Sequence, residues 1–476
     1  MEKGAIGQNL TPAQEKKVKK EAKSVAKKMQ EKAQAILSRV PAFLWISGNK
    51  NGCCQDIISN NERLFKTGSS VRDFKEAINS RFLNENWINR CIEDFRINEQ
   101  SVALEDFLNG DESAVYKLLS QFERDGKEET PGTPIALVND MLNKLPLETW
   151  TDSSKKFLDP ACSTGTFLLE IIRRLNKGLE QSIPNQDERL RHIVENMVYG
   201  AEPQEVPFLM TKSAFSRLFN YKFNLFHGII SEGIEELDNM KFNVVVMNPP
   251  YNKPVHKEGR KGGYGGRSLW DKFLEKAIDD LLKSDSYLVS VNPSAWRKPE
   301  SDHAKTLFGK LCHENHMQYL EIHSKADGNK IFGASTRFDF FCIHNIQNDE
   351  LTVIQDEKGA RHSVDLDKRG WLPNFEFELF DKLMASEGEE ACEVIFSRSA
   401  YGSDKKKHIS AERSNLFPYS VVHSMTLKGI RYIYSSKNTS GHFGQPKVIL
   451  SFNERQQCPY NDYKGELGMS QIAFGI

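Results

Sequence analysis

The sequence predicts an α/β protein built on a doubly wound sheet. Apolar strand patterns alternate with helical patterns from about Thr130 to Ile346, as they do in βαβ units. Two of the strands run directly into unusual turns, one made of small residues and one made of prolines. Because ligands of such sheets bind beyond the carboxyl ends of the strands, both turns are candidate site segments.

Six segments are expected to form the strands of this sheet. Each is a short run of apolar residues, many of them β-branched or aromatic, and is bounded by polar, glycine or proline residues. The predicted strands are Lys156–Leu158, Met197–Ala201, Asn243–Met247, Tyr287–Asn292, Tyr319–His323 and Phe338–Ile346.

The chain of 476 residues is long enough for two or three domains. We expect a helical N-terminal region over 1–120, the α/β domain over 121–346, and a mixed α+β C-terminal domain over 347–476. Thr11–Arg39 has the apolar periodicity of an amphipathic helix with a lysine-rich face. That face is either simply solvated or a contact for phosphates.

Composition limits the possible partners and the compartment. The chain has 64 basic and 65 acidic residues, so nucleic-acid binding would need local basic patches. Eight cysteines without a C-x-x-C pair fit a reducing compartment. No run approaches the roughly 20 apolar residues of a membrane span, and we expect a cytoplasmic protein.

The sequence shows no pattern for a metal site. His313 and His316 lack the H-E-x-x-H zinc spacing, so we expect both on the surface and no bound metal.

The first motif joins a strand to a helix through small residues. It reads Asp159-Pro160-Ala161-Cys162-Ser163-Thr164-Gly165-Thr166-Phe167. The strand ends at Asp159 and the helix starts near Thr166, and small side chains let a ligand contact the backbone between them. By itself this pattern predicts either a nucleotide-type loop or a structural tight turn.

The second motif is Asn248-Pro249-Pro250-Tyr251, directly after the buried strand Asn243–Met247. The two prolines fix the backbone and supply no N–H donors, which leaves nearby carbonyls free as acceptors. Asn248 adds a side-chain carbonyl and Tyr251 adds a flat aromatic face. These groups would suit an amino group on a planar ring, and the alternative is a proline-rich turn that ends a strand.

Together the two motifs resemble those of the amino-methyltransferase family of DNA N6-adenine enzymes. The order, with the cofactor motif first, is the gamma type found in Eco57I-like restriction-modification methylases. The family's cofactor motif is D-P-A-C-G-S-G, whereas this chain has Ser163 and Thr164 at the Gly and Ser positions. We expect the side chain at 163 to crowd the methionine carboxylate of the cofactor or to shift the loop. The resemblance spans about Thr130 to Ile346 and implies a Rossmann-like methyltransferase sheet with S-adenosyl-L-methionine as cofactor.

The resemblance implies further cofactor residues. Thr133 would be the N-cap of a helix with Pro134 at its first position, and this helix start would lie against the methionine part of the cofactor. Glu202 ends the second predicted strand, where a carboxylate would bind the ribose hydroxyls. The acidic residue that the family often has for the cofactor adenine is missing from Leu225–Ile230.

The resemblance also implies how the target base is held. Asn248 and the Pro249 carbonyl would accept the two N6 hydrogens, and a flipped-out base would stack on Tyr251. Phe338 or Phe340 would offer a second stacking face, or else pack in the core. A glycine-rich segment follows with one acid and several basic residues, and is either a loop that closes on DNA phosphates or a linker. Its basic residues are Lys253, Lys257, Arg260, Lys261 and Arg267.

The sequence is also compatible with two alternative functions. Asn-Pro-Pro-Tyr also occurs in enzymes that methylate guanine N2 in RNA or glutamine in proteins. A non-catalytic specificity or scaffold subunit of a restriction-modification assembly is a second alternative, favoured by Ser163 and by the missing acid. Under the main hypothesis the partner is double-stranded DNA, the chain methylates as a monomer, and 347–476 recognises the target sequence. A restriction endonuclease or helicase subunit could accompany it in a longer system.

Overall fold

A computed structural model describes the protein. The described residues are 102–110, 115–116, 119, 132–251, 268–298, 302–348, 350–385, 388–390, 392–396, 407–426, 429–451, 459–470 and 473–476. The expected helix over Thr11–Arg39 lies outside these residues, as does nearly all of the expected N-terminal helical region. Among the described residues, no helix is long and apolar enough to cross a membrane.

Helices and strands alternate along the described chain. The helices are α1 (Leu104–Asn109), α2 (Ile135–Leu142), α3 (Thr166–Gly178), α4 (Gln186–His192), α5 (Glu205–Leu218), α6 (Trp270–Lys276), α7 (Asp302–Gly309), α8 (Lys325–Phe332) and α9 (Phe377–Leu383). The first strands are β1 (Phe157–Asp159), β2 (Val198–Glu202), β3 (Asn224–His227), β4 (Phe242–Met247), β5 (Leu282–Pro293), β6 (His316–His323), β7 (Phe338–His344), β8 (Thr352–Gln355) and β9 (Arg361–Val364). The later strands are β10 (Ile395–Phe396), β11 (Ile409–Ser410), β12 (Tyr419–Thr426), β13 (Gly429–Ser435), β14 (Lys447–Ser451), β15 (Tyr460–Asp462), β16 (Gly468–Met469) and β17 (Ala473–Gly475).

The first nine strands form one sheet in the order β3-β2-β1-β4-β5-β7-β6-β8-β9. Strands β1 to β5 run parallel to one another, whereas β7 runs antiparallel to both β5 and β6. The chain moves outward from β1 in one direction through β2 and β3, and in the other direction through β4 and β5. The expected doubly wound α/β fold is confirmed, and its crevice lies where the direction reverses, beyond β1 and β4.

Helices cover both faces of this sheet, so its central strands are buried on both sides. In β4, Val244 and Val246 pack with the side chains of α2, α3 and α5, whereas Val245 and Met247 pack with those of α6 and α7. All four are fully buried, and each contributes roughly 1.5–3 kcal/mol of burial free energy. This explains why the strand is a continuous apolar run and does not alternate with polar residues.

All six predicted strands are present within a few residues of their predicted ends. The strands β3, β8 and β9 lie outside the six predicted segments. Because β8 and β9 extend the large sheet, the first compact unit ends at Phe377, later than the expected boundary at 346. His316 is a further correction: it lies in β6 and is 4% exposed, whereas His313 is exposed as expected.

The second compact unit, Glu378–Ile476, is richer in strands than the expected mixed α+β domain. Two four-stranded sheets form in its described residues, ordered β10-β17-β14-β15 and β11-β13-β12-β16. A small apolar cluster that includes Val422, Ile449 and Met469 forms its core. The buried Lys447 donates to Asp462 over 2.8 Å, and Asp462 also accepts the backbone N–H groups of 466 and 467. These hydrogen bonds stabilise the turn after β15.

Candidate functional site

A cleft opens beyond the carboxyl ends of β1, β2 and β4. Because these strands are parallel and adjacent, the segments that follow them meet at one edge of the sheet. About 470 Å³ of space lies between its walls, a volume that includes space open to solvent. Its lining residues are Gly132, Thr133, Asp159, Ala161, Cys162, Ser163, Thr164, Thr166, Phe167, Glu202, Pro203, Gln204, Asn248 and Pro250.

The small-residue turn after β1 is held by its own backbone and by β2. The N–H of Cys162 donates to the carbonyl of Ala201 over 2.9 Å, and the N–H of Gly165 donates to the carbonyl of Cys162 over 2.7 Å. Gly165 has a φ of 90°, where a glycine avoids the strain that a side chain brings. The helix α3 then begins at Thr166, as predicted.

Ser163 occupies the position where the sequence departs from the D-P-A-C-G-S-G pattern. Its φ is 48°, in the left-handed region, which costs a residue other than glycine roughly 1–2 kcal/mol. The Ser163 N–H donates to Glu202 Oε2 over 2.8 Å, and its carbonyl accepts the hydroxyl of Thr211 over 2.7 Å. The two hydrogen bonds hold the backbone in the conformation that a glycine would adopt at lower cost.

Glu202 ends β2 and lies against the turn, with 3% exposure. Its Oε2 accepts the Ser163 N–H, and its Oε1 accepts the N–H of Gln204 over 2.8 Å. Each carboxylate oxygen can accept more than one hydrogen bond. Glu202 can therefore order the turn and still accept hydroxyl donors from a ligand in the cleft.

Asp159 brings an unsatisfied acceptor to the same cleft. Its Oδ1 accepts the N–H of Ala161 over 3.1 Å, whereas its buried Oδ2 has no hydrogen-bond partner among the described residues. Burial raises the pKa of Asp159 well above its usual range, and the charge of Glu202 raises it further. Leaving such an acceptor unpaired costs roughly 1–3 kcal/mol, so a cationic donor would be stabilised here.

The Asn-Pro-Pro-Tyr segment forms the side of the cleft beyond β4. Asn248 Nδ2 donates to the hydroxyl of Thr133 over 3.0 Å, and the carbonyl of Tyr251 accepts the N–H of Leu269 over 3.1 Å. Pro249 is buried and Pro250 lines the cleft. Burial raises the pKa of Tyr251, with a further rise from Asp339, so its ring stays neutral at physiological pH.

The structure corrects the expected role of Thr133 as an N-cap. The helix α2 begins at Ile135, and Pro134 is its N-cap, since the Pro134 carbonyl accepts the N–H of Val138. Thr133 is therefore one residue too early for its hydroxyl to cap the helix. The hydroxyl instead accepts from Asn248, across 115 residues of sequence.

The structure also corrects the proposed second stacking face. Phe338 is fully buried, and its ring stacks on His323 with centroids 4.3 Å apart and contacts Phe332 edge-on at 5.0 Å. Phe340 is 1% exposed and packs beside Tyr319. Both rings belong to the core, because β7 is an inner strand of the sheet. The basic residues Lys253, Lys257, Arg260, Lys261 and Arg267 lie outside the described residues.

Several residues around the cleft were not predicted from the sequence. Gln204 and Pro203 follow Glu202 directly, so their position after a strand could have indicated them. Thr211 could not have been found this way, because it lies inside α5 and no local pattern marks it. Its hydroxyl reaches the Ser163 carbonyl only because α5 packs against the turn.

Comparisons with known proteins agree with the resemblance seen in the motifs. Residues 164–332 match the family described as Eco57I restriction-modification methylase. The chain is 24% identical to an uncharacterized adenine-specific methylase of Mycoplasma pneumoniae, over 38% of this chain and 58% of that protein. It is 35% identical to the type II restriction enzyme and methyltransferase RM.BcgI of Heyndrickxia coagulans, over 20% of this chain and 14% of that protein.

These matches cover part of each relative. The chain spans 58% of the length of the Mycoplasma protein and 14% of the length of the Heyndrickxia protein. Among solved structures, the type IIL restriction-modification enzyme MmeI in complex with DNA is similar at 12% identity with a TM-score of 0.45, over 76% of this chain and 65% of that chain. The predicted resemblance to restriction-modification methylases is confirmed for the matched segment.

Proposed function

We propose that the chain is an S-adenosyl-L-methionine-dependent methyltransferase that modifies the N6 amine of adenine in DNA, as part of a restriction-modification system. The observation that carries the proposal is that the turn after β1 and the Asn-Pro-Pro-Tyr segment line one cleft. A methyl donor and an amine acceptor would meet there. The family match over 164–332 supports the same reaction class.

The described residues fit the proposed cofactor. The unpaired Oδ2 of Asp159 would accept the cofactor's ammonium group, and Glu202 would accept its ribose hydroxyls. The turn at Ser163 would offer backbone to the methionine carboxylate. When bound, S-adenosyl-L-methionine supplies a methyl group on a positively charged sulfur, and the methyl replaces one N6 hydrogen, which leaves as a proton.

The Asn-Pro-Pro-Tyr segment would bind the acceptor. Adenine N6 is a weak nucleophile because its lone pair is delocalised into the ring. The side-chain oxygen of Asn248 and the carbonyl of Pro249 would accept its two hydrogens and stabilise the positive charge that develops on nitrogen. Inside a duplex this amine is out of reach, so the base would flip out and stack on the neutral ring of Tyr251.

The test is transfer of tritiated methyl from S-adenosyl-L-methionine to unmethylated DNA, with RNA and total protein in parallel. The Asn248→Ala variant removes the acceptor amide, and Asn239→Ala changes an exposed asparagine as a matched control. We expect label in DNA as N6-methyladenine, at least about 100-fold less with Asn248→Ala, and unchanged with Asn239→Ala. Label only in RNA or protein would contradict the proposed substrate. No label and no cofactor binding would favour the scaffold alternative.

A further inference from the structure

We infer that Thr133 is a positioning residue that sets the orientation of the catalytic amide of Asn248. Its hydroxyl accepts a hydrogen bond from Asn248 Nδ2 over 3.0 Å, and the oxygen end of the amide would then receive the target amine. The inference rests on the proposed function, since it concerns the same site. It assigns Thr133 to the acceptor side of the reaction, whereas the sequence motif assigned it to the cofactor.

Thr133 is placed in the cleft with a hydroxyl that does not cap a helix. The residue is 6% exposed and lines the cleft together with Asn248. Since Pro134 carries the first helical hydrogen bond and no side chain caps α2, the Thr133 hydroxyl is not used by the helix. Pro134 also restricts the residue before it to extended backbone, which keeps the hydroxyl in place beside Asn248.

The orientation matters because an asparagine amide has two unlike ends. Its oxygen only accepts and its nitrogen only donates. If the amide were rotated by 180°, its N–H₂ group would face the N–H groups of the target amine, and no hydrogen bond could form. Pro249 and Pro250 have no N–H, so the backbone directly after Asn248 cannot hold the oxygen end. Among the described residues, the Thr133 hydroxyl holds the nitrogen end of this amide, so that Oδ1 is the end left for the target amine.

The variant Thr133→Val keeps the side-chain shape and removes the hydroxyl. We expect kcat to fall by about tenfold, equal to about 1.4 kcal/mol, while the KM and Kd for S-adenosyl-L-methionine change by less than about twofold. Thr133→Ser restores the hydroxyl and should recover most of kcat. Thr149→Val is the matched control: Thr149 is fully buried before β1, and its hydroxyl has no hydrogen-bond partner among the described residues.

A spectroscopic readout separates this inference from the proposed function. With ¹⁵N-asparagine labelling, the side-chain signal of Asn248, assigned by its loss in Asn248→Ala, should exchange faster with water in Thr133→Val but not in Thr149→Val. If wild type methylates nothing, the proposed function fails, yet this signal still decides whether Thr133 holds the amide. An unchanged Asn248 signal would overturn the inference. A Thr133→Val defect that saturating cofactor fully corrects would overturn it as well.

Discussion

Replacing Gly165 with alanine tests whether the turn after β1 depends on a glycine. With φ at 90°, an alanine would be strained by roughly 1–2 kcal/mol. Its Cβ would lie 2.8 Å from Thr211 Cγ2 and 3.3 Å from Thr211 Oγ1, and such overpacking costs roughly 1–3 kcal/mol. We expect Gly165→Ala to lower the free energy of unfolding by about 2–5 kcal/mol and to weaken cofactor binding.

The assay is urea unfolding followed by tryptophan fluorescence. All six tryptophans precede Glu378 in the sequence, so none of the fluorescence comes from the C-terminal unit. The double variant Gly165→Ala/Thr211→Ser removes the crowding methyl and keeps the hydroxyl that donates to the Ser163 carbonyl. We expect it to recover about 1 kcal/mol relative to the sum of the single variants. A loss below about 0.5 kcal/mol for Gly165→Ala, or strictly additive variants, would refute the reasoning.

Three further predictions concern buried charges. Arg297→Met should lower the free energy of unfolding by about 3–5 kcal/mol in the same assay, because Arg297 Nε pairs with the buried Asp339 over 2.8 Å and its Nη1 donates to the carbonyl of Pro373 over 2.9 Å. Cofactor affinity, measured by calorimetry, should rise with pH and level off above the raised pKa of Asp159. The ammonium group of the cofactor binds the carboxylate form, so Asp159 must lose its proton before the cofactor binds. Glu202→Gln should raise the Kd of the cofactor about tenfold. The glutamine N–H₂ group would face the backbone N–H of either Ser163 or Gln204, which now donate to the two carboxylate oxygens.

Each of these predictions has a control. Adding Asp339→Asn to Arg297→Met removes the unpaired charge and should recover part of the lost stability; no recovery would contradict the ion-pair explanation. Asp159→Asn should bind the cofactor weakly with no pH dependence in this range, and a persistent dependence would point to another group. If Glu202→Gln binds cofactor like wild type, the carboxylate does not contact the ligand.

The sequence was sufficient to predict most of the sheet. β4 is predicted by its run of valines, because a strand covered by helices on both faces has no polar side. β3 was missed because its four residues are only partly buried and end in an exposed histidine. β8 and β9 were missed because each has only four residues, and in β8 the polar Thr352 is buried whereas the apolar Val353 is exposed.

The sequence by itself determined the motifs and the alternation that places them at the ends of adjacent strands. Only the tertiary structure decided which atoms meet. The contact between Thr133 and Asn248 joins residues 115 positions apart, and the contact between Thr211 and Ser163 joins residues 48 positions apart. Local propensity and periodicity act over a few residues, so a pairing that depends on how helices pack on the sheet leaves no mark in either segment alone. For the same reason the aromatic alternation in β7 could not tell a stacking face from a core, and the packing of His323 and Phe332 on Phe338 decided for the core.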